Sequence, residues 1–397
     1  MPDTRLNVVI THHFLAHYRR TIYNALCRQR FPLPHYSFVA GTRTNIPIKT
    51  IDAKTAEIDP DRGGLRWKFI KNYWFFKIFL WQTGLMKLAV NRNVDVIIYL
   101  GVMYHLSTWV SILIAKLTGK RVLMWTHGFL REEKGIKGHI RALFYKLSDG
   151  LLLYGNRARE ILVKRGFDPD KLYVVYNSLD YDLQCAVRND LSDEVLAGYK
   201  RVFARPRFPT LIYIGRLTSD KRVDMLIQAA YLLRSRGINV NVLILGDGPA
   251  LESLKQYVDS RDMSENVYFY GACYKEEDIG AMISLSDLCV VPGDIGLTCM
   301  HSLVYGTPVI THNNPDCSGP EWEAIKPGEN GDLFQYNDVD DLALVIENWL
   351  KRNRPRDEVG SACRSSIDKY YNPHYQIKII NNAVQGTPAG QLNQIQS

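Results

Sequence analysis

An α/β fold with parallel sheets is the class this chain predicts, and three observations predict it. Short apolar runs recur along the chain, each ends in a glycine-rich or polar turn, and each turn opens a segment with helical apolar spacing. In the second half, residues 211–214 read as a strand, Gly215 permits a tight turn, and residues 223–233 carry the spacing of a helix packed on a sheet. The cycle repeats at 240–245, where the turn Gly246, Asp247, Gly248, Pro249 precedes a helix through Leu251, Leu254 and Val258. It repeats again at the strand 267–271, the helix through Ile279 and Met282, and the strand 288–292. A glycine turn, a helix and a strand ending at Ile310 follow.

Arg216 and Lys221 fall in the first of these strand-to-helix loops. Loops at the carboxyl ends of parallel strands are where open α/β sheets bind ligands. Arginine offers a bidentate fork and lysine a point charge, which together suit a diphosphate. The turn after Pro292 would aim the amides near Gly296, Leu297 and Thr298 at an anion. Two basic residues in one loop are otherwise read as solvated surface cations, and the order of the later motifs is what favours a ligand site.

That order is Gly215, Arg216, Leu217 and Lys221; then Gly246 to Pro249; then Gly296, Leu297, Ser302, Leu303 and Gly306 to Val309; then Pro320 with Glu321, and Asn330 with Gly331. Over residues 207–350 the series resembles the donor half of retaining GT-B glycosyltransferases of family 4. The resemblance implies an α/β GT-B fold, two Rossmann-like domains facing a cleft. It implies transfer of a sugar from a nucleotide diphosphate to an acceptor with retained configuration, without a metal ion and with no cofactor besides the nucleotide-sugar substrate. Arg216 and Lys221 match the positions that neutralise the donor diphosphate, with Gly215 at the turn. Glu323 aligns with a donor-site glutamate, with Glu321 two residues away as the alternative. His127, which follows the strand ending at Thr126, resembles a histidine that approaches the transferred sugar; a hydrogen-bonded core histidine is the other reading.

One departure stands out. The family's paired glutamates, eight positions apart, are replaced by Gly293 and His301. Asp294 is then the candidate to recover sugar contact, and His301, neutral at its accepting nitrogen, to take a ribose hydroxyl bond. A degenerate donor site is the rival account.

The first half opens with a strand at 6–11, a loop and a helix to Leu26. His12, His13, His17 and Arg19 are candidates for acceptor or phosphate contact, against a reading as surface histidines. His12 and His13 are adjacent and cannot share a helix face, which argues against a metal site built from them alone. Residues 66–92 interleave aromatics with Arg66, Lys68, Lys71 and Lys77. They read as a helix that either lies in an anionic membrane interface or packs one face on the sheet. Residues 1–184 are expected to form the acceptor domain and 207–370 the donor domain, with 184–209 as linker. The helix 373–384 crosses back to the first domain if the resemblance holds, and the chain from Gln385 onward reads as a flexible tail.

Composition agrees with a globular two-domain chain: 397 residues with 46% hydrophobic content exclude wholesale disorder. A net charge of +8 suits diphosphate substrates and an acidic bilayer, and no nucleic-acid motif accompanies it. Seven cysteines without a Cys-x-x-Cys pair argue against zinc and against a disulfide framework. The N-terminus lacks the order of a signal peptide and no long uncharged apolar segment appears, so the expected location is cytoplasmic, at the inner face of the membrane if the aromatic segment binds it. Three functions remain in view: a glycosyltransferase acting on a lipid-linked glycan acceptor, a sugar-nucleotide epimerase of GT-B shape, and a non-catalytic sugar-nucleotide-binding protein.

Overall fold

The computed structural model describes residues 5–42, 44, 48–200 and 202–394. Residues 1–4, read above for a signal peptide, and the last three of the tail lie outside them. The chain divides into two units, Met1–Leu179 with Pro373–Ser397, and Asp180–Asn372.

In the first unit the strands are β1 Asn7–Phe14, β2 His35–Gly41, β3 Trp67–Phe69, β4 Asn72–Phe75, β5 Phe79–Gln82, β6 Val96–Leu100, β7 Arg121–Thr126, β8 Gly150–Leu153 and β9 Leu172–Val174. Seven of them form one sheet in the order β3-β2-β1-β6-β7-β8-β9, with every neighbour parallel. Side chains alternate across such a sheet, so each strand feeds two cores. Val8, Ile10, Ile98 and Trp125 face one core, while Val9, Ile97, Tyr99 and Met124 face the other.

The helix Pro373–Gln385 closes the first of these cores with Ile379, Ile380, Ala383 and Val384. Asn381 accepts a hydrogen bond from the buried Tyr36 hydroxyl (2.8 Å), and Arg121 donates to the Ala383 carbonyl (2.9 Å). The chain beyond Gln385 differs from the flexible tail expected of it. A short helix, Ala389–Gln394, buries Ala389 and Leu392, and the Gly390 amide donates to Asp170 (2.9 Å). Two apolar anchors outweigh the polar composition that suggested disorder.

Residues 66–92 also differ from the expected helix. Trp67–Phe69 joins the sheet edge, β4 and β5 form an antiparallel hairpin, and only Leu85–Ala89 is helical. Aromatic side chains favour the pleated surface. The hairpin closes on Phe76 and Lys77, both at positive φ (51° and 58°), with the Ile78 amide donating to the Phe75 carbonyl. That is the turn geometry that matches strand twist, here without the usual asparagine or glycine, which removed the sequence signal.

The second unit carries β10 Thr210–Ile214, β11 Asn241–Leu245, β12 Val267–Gly271, β13 Leu288–Val291, β14 Val309–His312 and β15 Gly331–Phe334. They form a parallel sheet in the order β12-β11-β10-β13-β14-β15. Residues 184–209, expected as linker, contain most of the helix Tyr181–Asp190 and all of Asp193–Lys200, and both belong to this unit. Tyr199 donates to Asp278 (2.6 Å) and Arg188 to the Val304 carbonyl (2.8 Å).

Removing residues 386–397 should strip the Leu392 anchor and cost about 2 kcal/mol, a fall in Tm of about 5 °C. Calorimetry on the shortened chain checks this, and an unchanged Tm would restore the flexible-tail reading.

Candidate functional site

The second sheet reverses its strand order between β10 and β13. A ligand crevice lies outside the carboxyl ends of the strands at such a reversal. The loop 215–221 leaves β10 there and the loop 292–298 leaves β13, so the topology brings the two motifs together.

Backbone contacts fix their approach. The Gly293 amide donates to the Lys221 carbonyl and the Asp294 amide to the Asp220 carbonyl, both at 3.1 Å. A Cβ on residue 293 would stand 2.0 Å from the Asp220 carbonyl oxygen. Position 293 is therefore closed to any side chain. Gly215, at φ 148°, makes the turn out of β10, and the Tyr213 hydroxyl donates to the Arg216 carbonyl (3.1 Å).

The two cations are held differently. Lys221 donates to the Asp294 carbonyl (2.6 Å) and to its carboxylate (2.9 Å). Its third ammonium hydrogen is left for a ligand. Asp294 also accepts from the Gly319 amide (3.1 Å), so its two oxygens tie three segments together. Arg216 is exposed, and its guanidinium makes no hydrogen bond or ion pair among the described residues. A hydrogen bond from Thr218, with Lys221 and Arg216 nearby, lowers the pKa of Asp220.

Thr298 begins the helix Thr298–Val304 and donates to the Ile214 carbonyl (2.9 Å), while the Leu297 carbonyl accepts from His301 and that of Gly296 from Cys299. His301 Nε2 meets Glu276 at 2.8 Å, and Tyr305 donates to the same oxygen. Burial works against ionising Glu276, yet the bonds from His301 and Tyr305 hold its pKa below the usual value. An ionised Glu276 places the proton of a neutral His301 on Nε2 and leaves Nδ1 as the acceptor. The turn Pro320–Ala324 buries Glu321, whose carboxylate reaches the Gly319 backbone beside Gly296, and leaves Glu323 half-buried.

In the first unit the order reverses between β1 and β6. His12 and Arg19 are brought together there. The Arg19 guanidinium lies over Trp125 (5.2 Å) and Tyr154 (5.0 Å), donates to the Tyr154 hydroxyl, and is buried. Its Nη1 and the Nε2 of His12 have no partner among the described residues. Burial, then Arg19, His13 and His105, push the pKa of His12 well down. His127 stands partly exposed beyond β7 with its ring 4.4 Å from Tyr154; desolvation of the crowded side of the ring, and then Arg19, lower its pKa. His13 turns instead toward His105 (5.4 Å) and Trp74 (5.9 Å), and His17 is exposed at the start of the 3₁₀ turn that buries Arg19.

Comparison with known proteins fits this geometry. Residues 200–366 match the model of the family described as Glycosyl transferases group 1. This segment thus resembles a glycosyltransferase group 1 domain. Alpha-D-kanosaminyltransferase of Streptomyces kanamyceticus is 32% identical over 155 residues, which are 38% of this chain and 39% of that protein. The chain thus spans about two fifths of that relative's length. Lipopolysaccharide 1,6-galactosyltransferase of Salmonella typhimurium is 26% identical over 68% of this chain and 69% of its own. HepE of Anabaena, solved in complex with UDP, has a TM-score of 0.72 at 13% identity, covering 96% of this chain and 100% of HepE. The two Rossmann-like units thus share the fold of GT-B glycosyltransferases.

Sequence reasoning missed Glu276, Tyr154, Trp125 and His105. Tyr154 ends the apolar run 151–153 as His127 follows that of β7, so the same strand-end criterion applied again would have found it. Glu276 is visible only as the partner of His301.

Desolvation takes the pKa of His105 to about 3 and that of His13 to about 4. Both lie below the unfolded value of 6.5, so the neutral rings contribute fully above pH 6.5 and that stability is lost as pH falls toward the folded values. At pH 5 the buried His105 alone should cost roughly 2 kcal/mol. Tm measured across pH 5 to 7.5 should fall on the acid side, and His105→Asn should flatten the decline.

Proposed function

We propose that this chain is a retaining glycosyltransferase that moves a sugar from a nucleotide diphosphate-sugar to a glycan acceptor, carried on a lipid and used in cell-surface polysaccharide synthesis. The observation that carries the reading is the meeting of Arg216 and Lys221 with the 293–298 loop at the strand-order reversal. The group 1 match of the same residues and the UDP bound by HepE support a nucleotide-sugar donor. The lipopolysaccharide galactosyltransferase supports a glycan acceptor.

Departure of the nucleoside diphosphate leaves negative charge on the β-phosphate and positive character on the sugar ring. Arg216 supplies a free fork and Lys221 one remaining donor, and the amides of Gly296, Leu297 and Thr298 supply neutral dipoles. With the charge met by fixed groups, no metal ion is required in this scheme. The sugar C1–oxygen bond to the β-phosphate breaks, the acceptor hydroxyl attacks the same face, and its proton passes to the leaving phosphate. His301 accepts a ribose hydroxyl at Nδ1, Asp294 positions Lys221, and Glu321 or Glu323 faces the donor sugar. On the acceptor side His12, His13, His17, Arg19 and His127 are the candidate groups, and the chain acts at the cytoplasmic face of a membrane.

Arg216→Ala or Lys221→Ala should each lower kcat by about a hundredfold, equivalent to about 3 kcal/mol of transition-state stabilisation. Product analysis with a panel of UDP-, GDP- and dTDP-sugars, preselected by thermal stabilisation, measures this; transfer that survives loss of both cations rejects the mechanism. His301→Ala should weaken nucleotide-sugar binding about two- to tenfold, the value of one hydrogen bond. Calorimetric titration reads that, and an unchanged Kd removes the ribose role. Gly293→Glu, which installs the family's usual acid, should abolish donor binding rather than improve it, because the Asp220 carbonyl occupies the space.

A further inference from the structure

The helix Leu106–Leu117 buries Ser107, Thr108 and Ser111 together with Ile112 and Ala115, and exposes Leu106, Val110, Leu113 and Leu117, the last at 88%. The exposed residues recur at intervals of four, three and four, which places them in one narrow stripe along the helix. The buried hydroxyls are satisfied: Ser107 accepts from the Gln82 amide (2.9 Å), and Ser111 donates to the Leu85 carbonyl (2.9 Å) and bonds the Tyr99 hydroxyl (2.7 Å). The buried hydroxyls help fix the orientation alongside Ile112 and Ala115, and an apolar stripe is left facing outward.

A second helix repeats the pattern. Ile136–Lys146 exposes Ile136 at 79%, with Ile140 and Leu143, while Phe144 and Tyr145 enter the same core that receives Ile112 and Ala115. Both helices therefore lie on one face of the first sheet, joined through Trp109 and Phe144 (4.8 Å), and their stripes point away from it.

The β4–β5 hairpin adjoins the start of the first helix, with the Leu80 amide donating to the Tyr104 carbonyl (3.0 Å). At its tip Phe76 is 88% exposed at positive φ, between Phe75 and Ile78. Isolated exposed apolar residues need no partner, but repeated stripes on two neighbouring helices with an apolar hairpin tip call for one.

Charge selects the occupant. Between residues 66 and 131 the chain carries ten lysines and arginines and one acidic residue, Asp95. Lys77 stands exposed at the hairpin tip, Lys71 at the open end of the hairpin, Lys68 on the sheet-edge strand before it, and Lys137 beside Ile136. Aromatic and aliphatic side chains ringed by lysine fit the boundary between acyl chains and anionic headgroups. No helix among the described residues is long and apolar enough to cross a membrane, so the contact is with one leaflet.

We propose that the outward stripes of Leu106–Leu117 and Ile136–Lys146, with the Phe76 hairpin tip, form a docking face for an anionic lipid bilayer. The proposal deepens the lipid-linked acceptor reading and rests on it for the reason such an enzyme would dock; the residues that carry it are separate from the donor site.

The test is co-sedimentation of the full chain with vesicles of mixed phosphatidylglycerol and phosphatidylcholine, against phosphatidylcholine alone, for wild type and the triple variant Phe76→Ser, Leu117→Ser, Ile136→Ser. All three sites are exposed, so Tm and donor binding should persist. The expected result is binding to the anionic vesicles that the variant loses by at least about tenfold. Equal binding by the variant, or none by the wild type, overturns the proposal. A wild type that ignores vesicles but forms a dimer lost in the variant, read by light scattering, assigns the face to a second copy and overturns it too. Vesicle binding without any nucleotide-sugar binding would sustain the docking face while rejecting the transferase reading.

Discussion

Close approach of two loops at the β10–β13 reversal is the constraint on which the candidate site of the second unit depends. The Asp220 carbonyl sits where a side chain on residue 293 would begin, so only glycine lets the 293–298 loop reach the 215–221 loop. Once they meet, Asp294 clasps Lys221 twice and takes the Gly319 amide as well. The same three segments then carry both cations, the helix-entry amides and the buried Glu321. Residue 293 therefore has no room for a side chain, and the carboxylate one residue on holds the lysine in place.

The first unit solves a different problem at its own strand-order reversal. A buried guanidinium is costly unless something receives its hydrogen bonds. Arg19 has aromatic faces and a tyrosine hydroxyl, but no carboxylate within ion-pair distance among the described residues. Desolvation, and after it the Arg19 charge, lowers the pKa of both His12 and His127, which favours an acceptor nitrogen on each ring. Aromatic walls, neutral imidazoles and one fixed cation make a surface suited to polar, oxygen-rich ligands.

The outward helices and the hairpin show how tertiary packing can invert a local pattern. Helix Leu106–Leu117 is apolar on nearly every side, so periodicity alone offers no inside. Its serines decide the matter, because Tyr99, Leu85 and Gln82 present groups that need hydroxyl partners. Satisfying buried polar groups outweighs covering leucines that a different solvent, a lipid surface, can accommodate.

By itself the sequence determined the α/β class, the parallel strands near their true positions, and the basic and glycine motifs of the β10 and β13 loops. Those features are local: a strand's apolar run, a glycine turn and a helix's spacing are set by neighbours a few residues away. The hairpin at 66–92 and the docked tail were misread, because aromatic-rich and Gln-rich segments take their conformation from what they pack on. Only the tertiary structure decided that residue 293 must lack a side chain, that Glu276 fixes the tautomer of His301, that Arg19 is buried without a counter-charge, and which face of residues 106–117 meets solvent. Each of these depends on atoms brought together from distant parts of the chain, and no spacing rule within one segment contains that information.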